Sequence, residues 1–177
     1  MDLRYMAEVQ AAARDIYTGL KNLIVWAKDN GGMGTFYRSR HELIFARKVG
    51  AAWHVNTLEL GQYGRYRTNV WEHRGVNTLK TGRAEELAMH PTVKPVQMIA
   101  DAIRDVSGHE EIVVDLFGGS GSTLIAANKT RRRAFLCELD PVCCDQILAR
   151  YEAYAKDAAV QLICGLDAQA LAKVAAE

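Results

Sequence analysis

The chain contains no apolar run near the roughly eighteen residues that a membrane-spanning helix requires, and its N-terminus shows no secretory pattern. A cytoplasmic location is therefore expected, with no membrane partner. Cysteine is sparse: the four residues Cys137, Cys143, Cys144 and Cys164 include no C-x-x-C pair, and two are adjacent. Neither a zinc site nor a disulfide framework follows from that spacing, so reduced thiols and no metal are expected. Net charge is nearly absent, at +1. That sum neither favours nor excludes nucleic acid, because recognition depends on how charge is distributed. No internal repeat and no linker divides the chain, so one domain over residues 1–177 is the default.

Two nucleotide signatures are also missing. The apolar run Val113-Val114-Asp115-Leu116-Phe117 leads directly into Gly118-Gly119-Ser120-Gly121-Ser122-Thr123 and then into the helix-like Leu124-Ile125-Ala126-Ala127. This reads as strand, tight turn and helix, the ligand-binding corner of an α/β sheet. No lysine follows the glycines, as a P-loop would need, and Leu124 stands where a dinucleotide fingerprint has its third glycine. A nicotinamide-dependent oxidoreductase is disfavoured for that reason.

What the turn offers is a backbone that can approach a ligand closely, with helix N–H groups pointing outward beside Asp115, which is placed to receive a cationic group. About twenty residues on, Arg133-Ala134-Phe135-Leu136-Cys137-Glu138 reads as the next strand ending in an acid. A carboxylate there can accept both hydroxyls of a ribose. Adenosine without a pyrophosphate fits the two features together.

The combination of DLFGGSGST, FLCELDP and the upstream His90-Pro91-Thr92-Val93-Lys94-Pro95 resembles the S-adenosylmethionine-binding half of DNA amino-methyltransferases of permuted motif order, the β-type adenine and cytosine-amino enzymes. The resemblance covers nearly the whole chain. It implies an α/β, Rossmann-like methyltransferase sheet with helices on both faces, S-adenosyl-L-methionine as cofactor, and double-stranded DNA as partner, with a restriction endonuclease as a further one. It implies cofactor contacts from Asp115, Phe117, Gly118, Gly119, Ser120, Gly121, Ser122, Thr123, Glu138 and Asp140, and contacts from Thr92 and Lys94 to the methionine end. Read without the family, Lys94 is a solvated loop lysine. Capping alone explains Asp140, with Pro141 at the first position of a helix running to about Tyr154 and burying Ile147, Tyr151 and Tyr154.

The rest of the chain supplies the other elements. Met6, Val9, Ala13, Ile16 and Tyr17 share one side of a helical pattern, and the chain turns at Gly19. Leu23–Trp26 and His41–Ala46 are strands, the first buried on both faces. The loop between them is long for a hairpin. In the resembling family it lies beside the catalytic face, which makes Asn30, Tyr37, Arg38 and His41 candidates for the pocket of an extruded base or its flanking phosphates. A Gly-rich surface hairpin with solvated arginines would look similar.

From Val49 to Met89 basic residues alternate with aromatics and little periodicity is seen. Arg65, Arg67, Trp71 and Arg74 are the candidates there for a DNA-contacting insertion, since phosphates need the arginines and unstacked bases need the rings. An irregular loop with packed aromatics is the plain alternative. A helix opens at Pro95, with Ile99, Ala102, Ile103 and Val106 on its apolar face, and ends at Gly108. Near the C-terminus, Ala159–Ile163 reads as a strand and residues 167–177 as a helical or frayed tail.

One family element is missing from these 177 residues. Methyl transfer to an exocyclic amine needs the amine aligned with the sulfonium, its proton accepted and its base stacked. In the family an Asp-Pro-Pro-aromatic tetrapeptide does this, and the chain contains no Pro-Pro pair. No catalytic residue is therefore assigned. The expectation is a C-terminal piece whose sheet lacks a central strand, leaving the strand from Ile112 to Phe117 with an unpaired edge. It would be inactive alone, adenine ahead of cytosine as the target of the whole enzyme. A non-catalytic module binding cofactor or nucleic acid is the alternative.

Overall fold

The structure, a computed structural model, describes residues 3–32, 36–62, 66–75 and 93–155. Arg65, His90, Pro91, Thr92, the expected strand at 159–163 and the tail beyond it lie outside the described residues.

Strand β1 (Gly19–Ala27) pairs antiparallel with β2 (His41–Lys48), Ile24 opposite Ile44 and Trp26 opposite Glu42. Both strands are longer than the sequence pattern suggested, because pairing carries them past their apolar centres, with an irregularity between Leu20 and Asn22. On the other side of β1 a three-residue strand, β3 (Val70–Glu72), runs parallel with Trp71 beside Trp26. Three residues are too few to show a period, so this segment reads as irregular loop in the sequence.

A second sheet holds β4 (Ile112–Asp115) parallel to β5 (Arg133–Leu136). One of its faces is covered. Val113 and Ala134 pack against Ala100 and Ile103 of helix α2 (Val96–Val106) and Ala126 and Ala127 of α3 (Ser122–Lys129). Burying such a face stabilises at about 25 cal/mol per Å² of apolar surface removed from water. The opposite face behaves differently: Ile112 and Val114 are exposed, Val114 at 61%. Among the described residues β4 pairs with β5 alone, so its outer edge is open, as the sequence suggested. Parallel strands are ordinarily covered on both faces.

Helix α4 (Pro141–Ala155) starts where the sequence placed it, with Asp140 Oδ1 accepting the Val142 N–H at 2.9 Å. Ile147 and Tyr151 are buried, but Tyr154 is at the surface, its ring tilted at 47° to that of Tyr151 with centroids 6.3 Å apart. The N-terminal helix also departs from expectation. A 3-10 turn (Leu3–Tyr5) leads into α1 (Met6–Ala12), which buries none of its own residues, while Ile16 is 65% exposed beyond its end. Its apolar side has no complete surface to pack on among the described residues, and only Ala13 reaches the interior.

Candidate functional site

The chain leaves β4 at Asp115 and turns on glycines into α3. The ladder continues beyond the strands: Cys137 N–H donates to Asp115 O at 2.8 Å, and Gly118 N–H to Cys137 O at 2.8 Å. Gly119 and Gly121 both have positive φ, 53° and 72°, which a side chain would resist. Gly121 has a second reason to be glycine, because a Cβ there would lie 2.9 Å from Ile147 Cγ2 on α4. The turn is therefore clamped between the sheet and a helix.

Asp115 turns inward on this loop. Its Oδ1 accepts the Phe117 N–H at 3.0 Å and its Oδ2 the Thr123 hydroxyl at 2.6 Å, so the carboxylate ties the turn together from both ends. These two donors hold the carboxylate expected to receive a cationic group. Ser120 and Ser122 are buried with hydroxyls 3.2 Å apart. Arg150 of α4 donates from Nη1 to Ser120 O at 2.6 Å and to Ser122 Oγ at 3.1 Å. No sequence signal marks Arg150, since a helical arginine facing a loop looks like one facing water.

Glu138 lies against the glycine turn. Its Oε2 accepts the Gly119 N–H at 2.7 Å, while Oε1 accepts the N–H groups of Leu139 at 2.8 Å and Asp140 at 3.1 Å. The acid at the end of β5 and the glycines after β4, nineteen residues apart, thus form one site. Phe117 and Leu139 stand at its mouth with 86% and 97% exposure. Leu139 was missed in the sequence, where an apolar residue between two acids gives no periodic signal. Cys143 lies beside the site with its thiol pKa pushed up by desolvation first and then by the Asp140 and Glu138 carboxylates.

Lys94 joins this site to the other sheet. Its carbonyl accepts the Ser122 hydroxyl at 2.9 Å, and its ammonium lies 3.6 Å from Glu42 Oε2 and 5.9 Å from the Trp26 ring centroid. Lys28 donates to Glu42 Oε1 at 2.5 Å.

A comparison with a family model for DNA methylases matches residues 1–149. The chain belongs to the DNA methylase family of N6 and N4 methyltransferases. Similar solved folds include the M1.HpyAVI–SAM complex, at 22% identity and a TM-score of 0.64, the match covering 85% of this chain and 71% of that one. TTHA0409, a putative DNA modification methylase from Thermus thermophilus complexed with S-adenosyl-L-methionine, gives 21% and 0.63 over 89% and 63% of the two chains. PvuII DNA methyltransferase, cytosine-N4-specific, gives 14% and 0.66 over 97% and 61%. The chain thus spans less than two thirds of the length of the last two, and at such identities the likeness establishes a Rossmann-like methyltransferase fold.

The residues expected from the sequence to face DNA fall into two groups. Asn30, Tyr37, Arg38 and His41 lie on or beside the β1–β2 loop, and Arg74 follows β3. The two segments meet, since Gly75 N–H donates to Asp29 Oδ1 at 3.2 Å and His73 N–H to Ala27 O at 3.2 Å. Phe36 and Tyr37 project as a pair of rings 4.4 Å apart, Tyr37 at 88% exposure. Arg38 is engaged within the loop, donating to Gly31 O and Gly32 O, both at 2.9 Å. Arg67 and Trp71 instead face α2. The Arg67 guanidinium lies 3.2 Å from Asp105 Oδ2 and 5.0 Å from the Trp71 ring centroid. Trp71 also lines a cavity of about 420 Å³ between the three-stranded sheet and α2. Among the described residues no helix is long and apolar enough to cross a membrane, and no group of His, Cys, Asp or Glu could hold a metal.

Proposed function

We propose that this chain carries the S-adenosylmethionine site of a DNA amino-methyltransferase, with Asp115, Phe117, the turn from Gly118 to Thr123, Glu138, Asp140 and Lys94 as the cofactor-holding residues. The observation that carries the reading is the 2.7 Å hydrogen bond from Gly119 N–H to Glu138 Oε2, which brings the acid onto the glycine turn. A carboxylate offers about four acceptor positions, so Glu138 can take ribose hydroxyls while keeping part of its hold on the loop. Phe117 and Leu139 are apolar covers for the planar base. The helix N-terminus at Ser122 and the ammonium of Lys94 suit the negative and polar end of the methyl donor.

The rim from Asn30 to His41, with Arg74, is the DNA-facing part, together with the segment 49–89. Exposed rings beside arginines suit a displaced base and its phosphates. The methyl acceptor is an exocyclic amine, adenine ahead of cytosine, and methylation of defined oligonucleotides by the whole enzyme would decide between them. Without an Asp-Pro-Pro-aromatic segment in its sequence the chain by itself has no group to accept the amine proton and turns over no substrate. The same absence favours the second reading, a non-catalytic module that binds cofactor or nucleic acid.

Calorimetry against S-adenosylhomocysteine tests the cofactor site. Binding by the unaltered chain and a loss of about tenfold or more in Glu138→Ala are expected, the scale of one or two charge-assisted hydrogen bonds. Unfolding midpoints measured alongside separate lost contact from lost fold. No binding by the unaltered chain, or an unchanged affinity in the variant, would sink the assignment. Turnover of labelled methyl donor by the purified chain would overturn its inactivity alone.

A further inference from the structure

Strand pairing puts Glu42 directly opposite Trp26, in a row whose next members are Ile24 and Ile44. An acid in that row costs stability unless it is met by charge. Two lysines meet it, Lys28 of the same hairpin at 2.5 Å on Oε1 and Lys94, from a distant part of the chain, at 3.6 Å on Oε2. Both ammonium groups also lie over the Trp26 ring, 4.7 Å and 5.9 Å from its centroid. The tryptophan is only 2% exposed and is itself fixed by an Nε1–H donated to His73 O at 2.8 Å. One carboxylate therefore lets two like charges share one indole.

The other end of Lys94 is in the glycine turn. Its carbonyl accepts from Ser122 Oγ at 2.9 Å, and Ser122 in turn is bonded by Arg150 at 3.1 Å. Lys94 is thus fixed at its backbone by the cofactor turn and at its ammonium by β2. Burial alone would push the Glu42 carboxyl up, but the Lys28 hydrogen bond and the charges of Lys94 and Lys28 outweigh it and hold its pKa below the ordinary carboxylate value. The three groups together keep a net single positive charge.

We propose that Glu42 is a positioning residue for the cofactor site, holding the Lys94 ammonium beside Lys28 and Trp26 so that one positive charge is presented to the carboxylate of an amino-acid group. The inference rests on the S-adenosylmethionine reading above and names the residue that sets the geometry of its methionine end. Without Glu42 the two ammonium groups repel across the ring, and Lys94, the more exposed of the two, leaves it.

Two ligands separate the possibilities by calorimetry on the full chain: S-adenosylhomocysteine, which has the amino-acid end, and 5′-methylthioadenosine, which lacks it. Glu42→Gln is expected to weaken S-adenosylhomocysteine about tenfold, the scale of one charge-assisted contact, and to leave methylthioadenosine within about twofold. Adding Lys28→Met to Glu42→Gln is expected to restore most of the loss, because the repelling charge is gone. A merely structural role would weaken both ligands equally and would not be rescued. Either result overturns the inference, as does an unchanged or tighter S-adenosylhomocysteine affinity in Glu42→Gln. If the unaltered chain binds neither ligand, the cofactor reading fails and takes this inference with it. If it binds both, that reading stands whatever Glu42→Gln does.

Discussion

The glycine turn after β4 and the rim formed by residues 28–32, 36–40 and 73–75 both carry polar chemistry, yet they are held in opposite ways. In the turn nearly every group is engaged locally: Asp115 takes two donors, Glu138 takes three, and Ile147 closes over Gly118 and Gly121. The rim presents Phe36 and Tyr37 to solvent, is stapled by Arg38 to its own carbonyls, and meets the next segment at Asp29 and Gly75. A pre-formed turn suits a cofactor of fixed shape, because little ordering is left to be done on binding. Exposed rings suit a partner whose base must first be displaced.

Substituting glycines of positive φ sharpens that comparison most. Gly121→Ala meets both an unfavourable φ of 72° and Ile147 at 2.9 Å. A loss of about 3 kcal/mol in urea unfolding is expected from strain and overpacking together. Gly61→Ala has a similar φ of 79° but nothing within 4 Å of its Cβ. About 1 kcal/mol of strain is expected there. Equal losses at the two positions would mean that the turn is not clamped by α4.

The link between the two regions is smaller and depends on pH. The folded pKa of Glu42 is depressed, so its stabilising contribution is present above the unfolded carboxylate value and is lost as pH falls through the folded one. Near neutral pH, Glu42→Gln should lower stability by about 1 kcal/mol. Unfolding curves taken at successively lower pH should bring the two proteins together, and a gap that widens on acidification would contradict the pairing.

The smallest effect on stability belongs to the exposed aromatics. Trp53 is 97% exposed, so Trp53→Ser should change unfolding free energy by less than about 0.5 kcal/mol. If it stacks on a base, DNA affinity should fall by about 1–3 kcal/mol, measured by fluorescence anisotropy at fixed salt. A stability loss without an effect on DNA would move Trp53 from the partner surface to the core.

Much of the glycine-turn region was legible in the sequence because its signals are local. Glycines at fixed offsets, an acid at each strand end, and the Asp140-Pro141 helix start each report a backbone state within a few residues. The helix from 96 to 106 was found the same way, although it begins one residue after Pro95 and leaves Val106 exposed. The helical pattern through Tyr17 was broken after Ala12, and the apolar side it promised is largely at the surface. Glu42 could have been noticed as a charge on the apolar row of a strand, but a one-strand reading does not say which residue lies opposite.

By itself the sequence determined the local geometry of the glycine turn, the strand that ends at Asp115 and the one that ends two residues before Glu138, and the family to which the chain belongs. Tertiary structure decided what lies across from what. It placed β3 beside β1, turned Arg67 onto Asp105, and brought Lys28, Glu42 and Lys94 to one indole. The reason is physical: turns and caps are set by near neighbours in the chain, whereas an ion pair or a three-residue strand is stabilised only by partners that folding brings from tens of residues away.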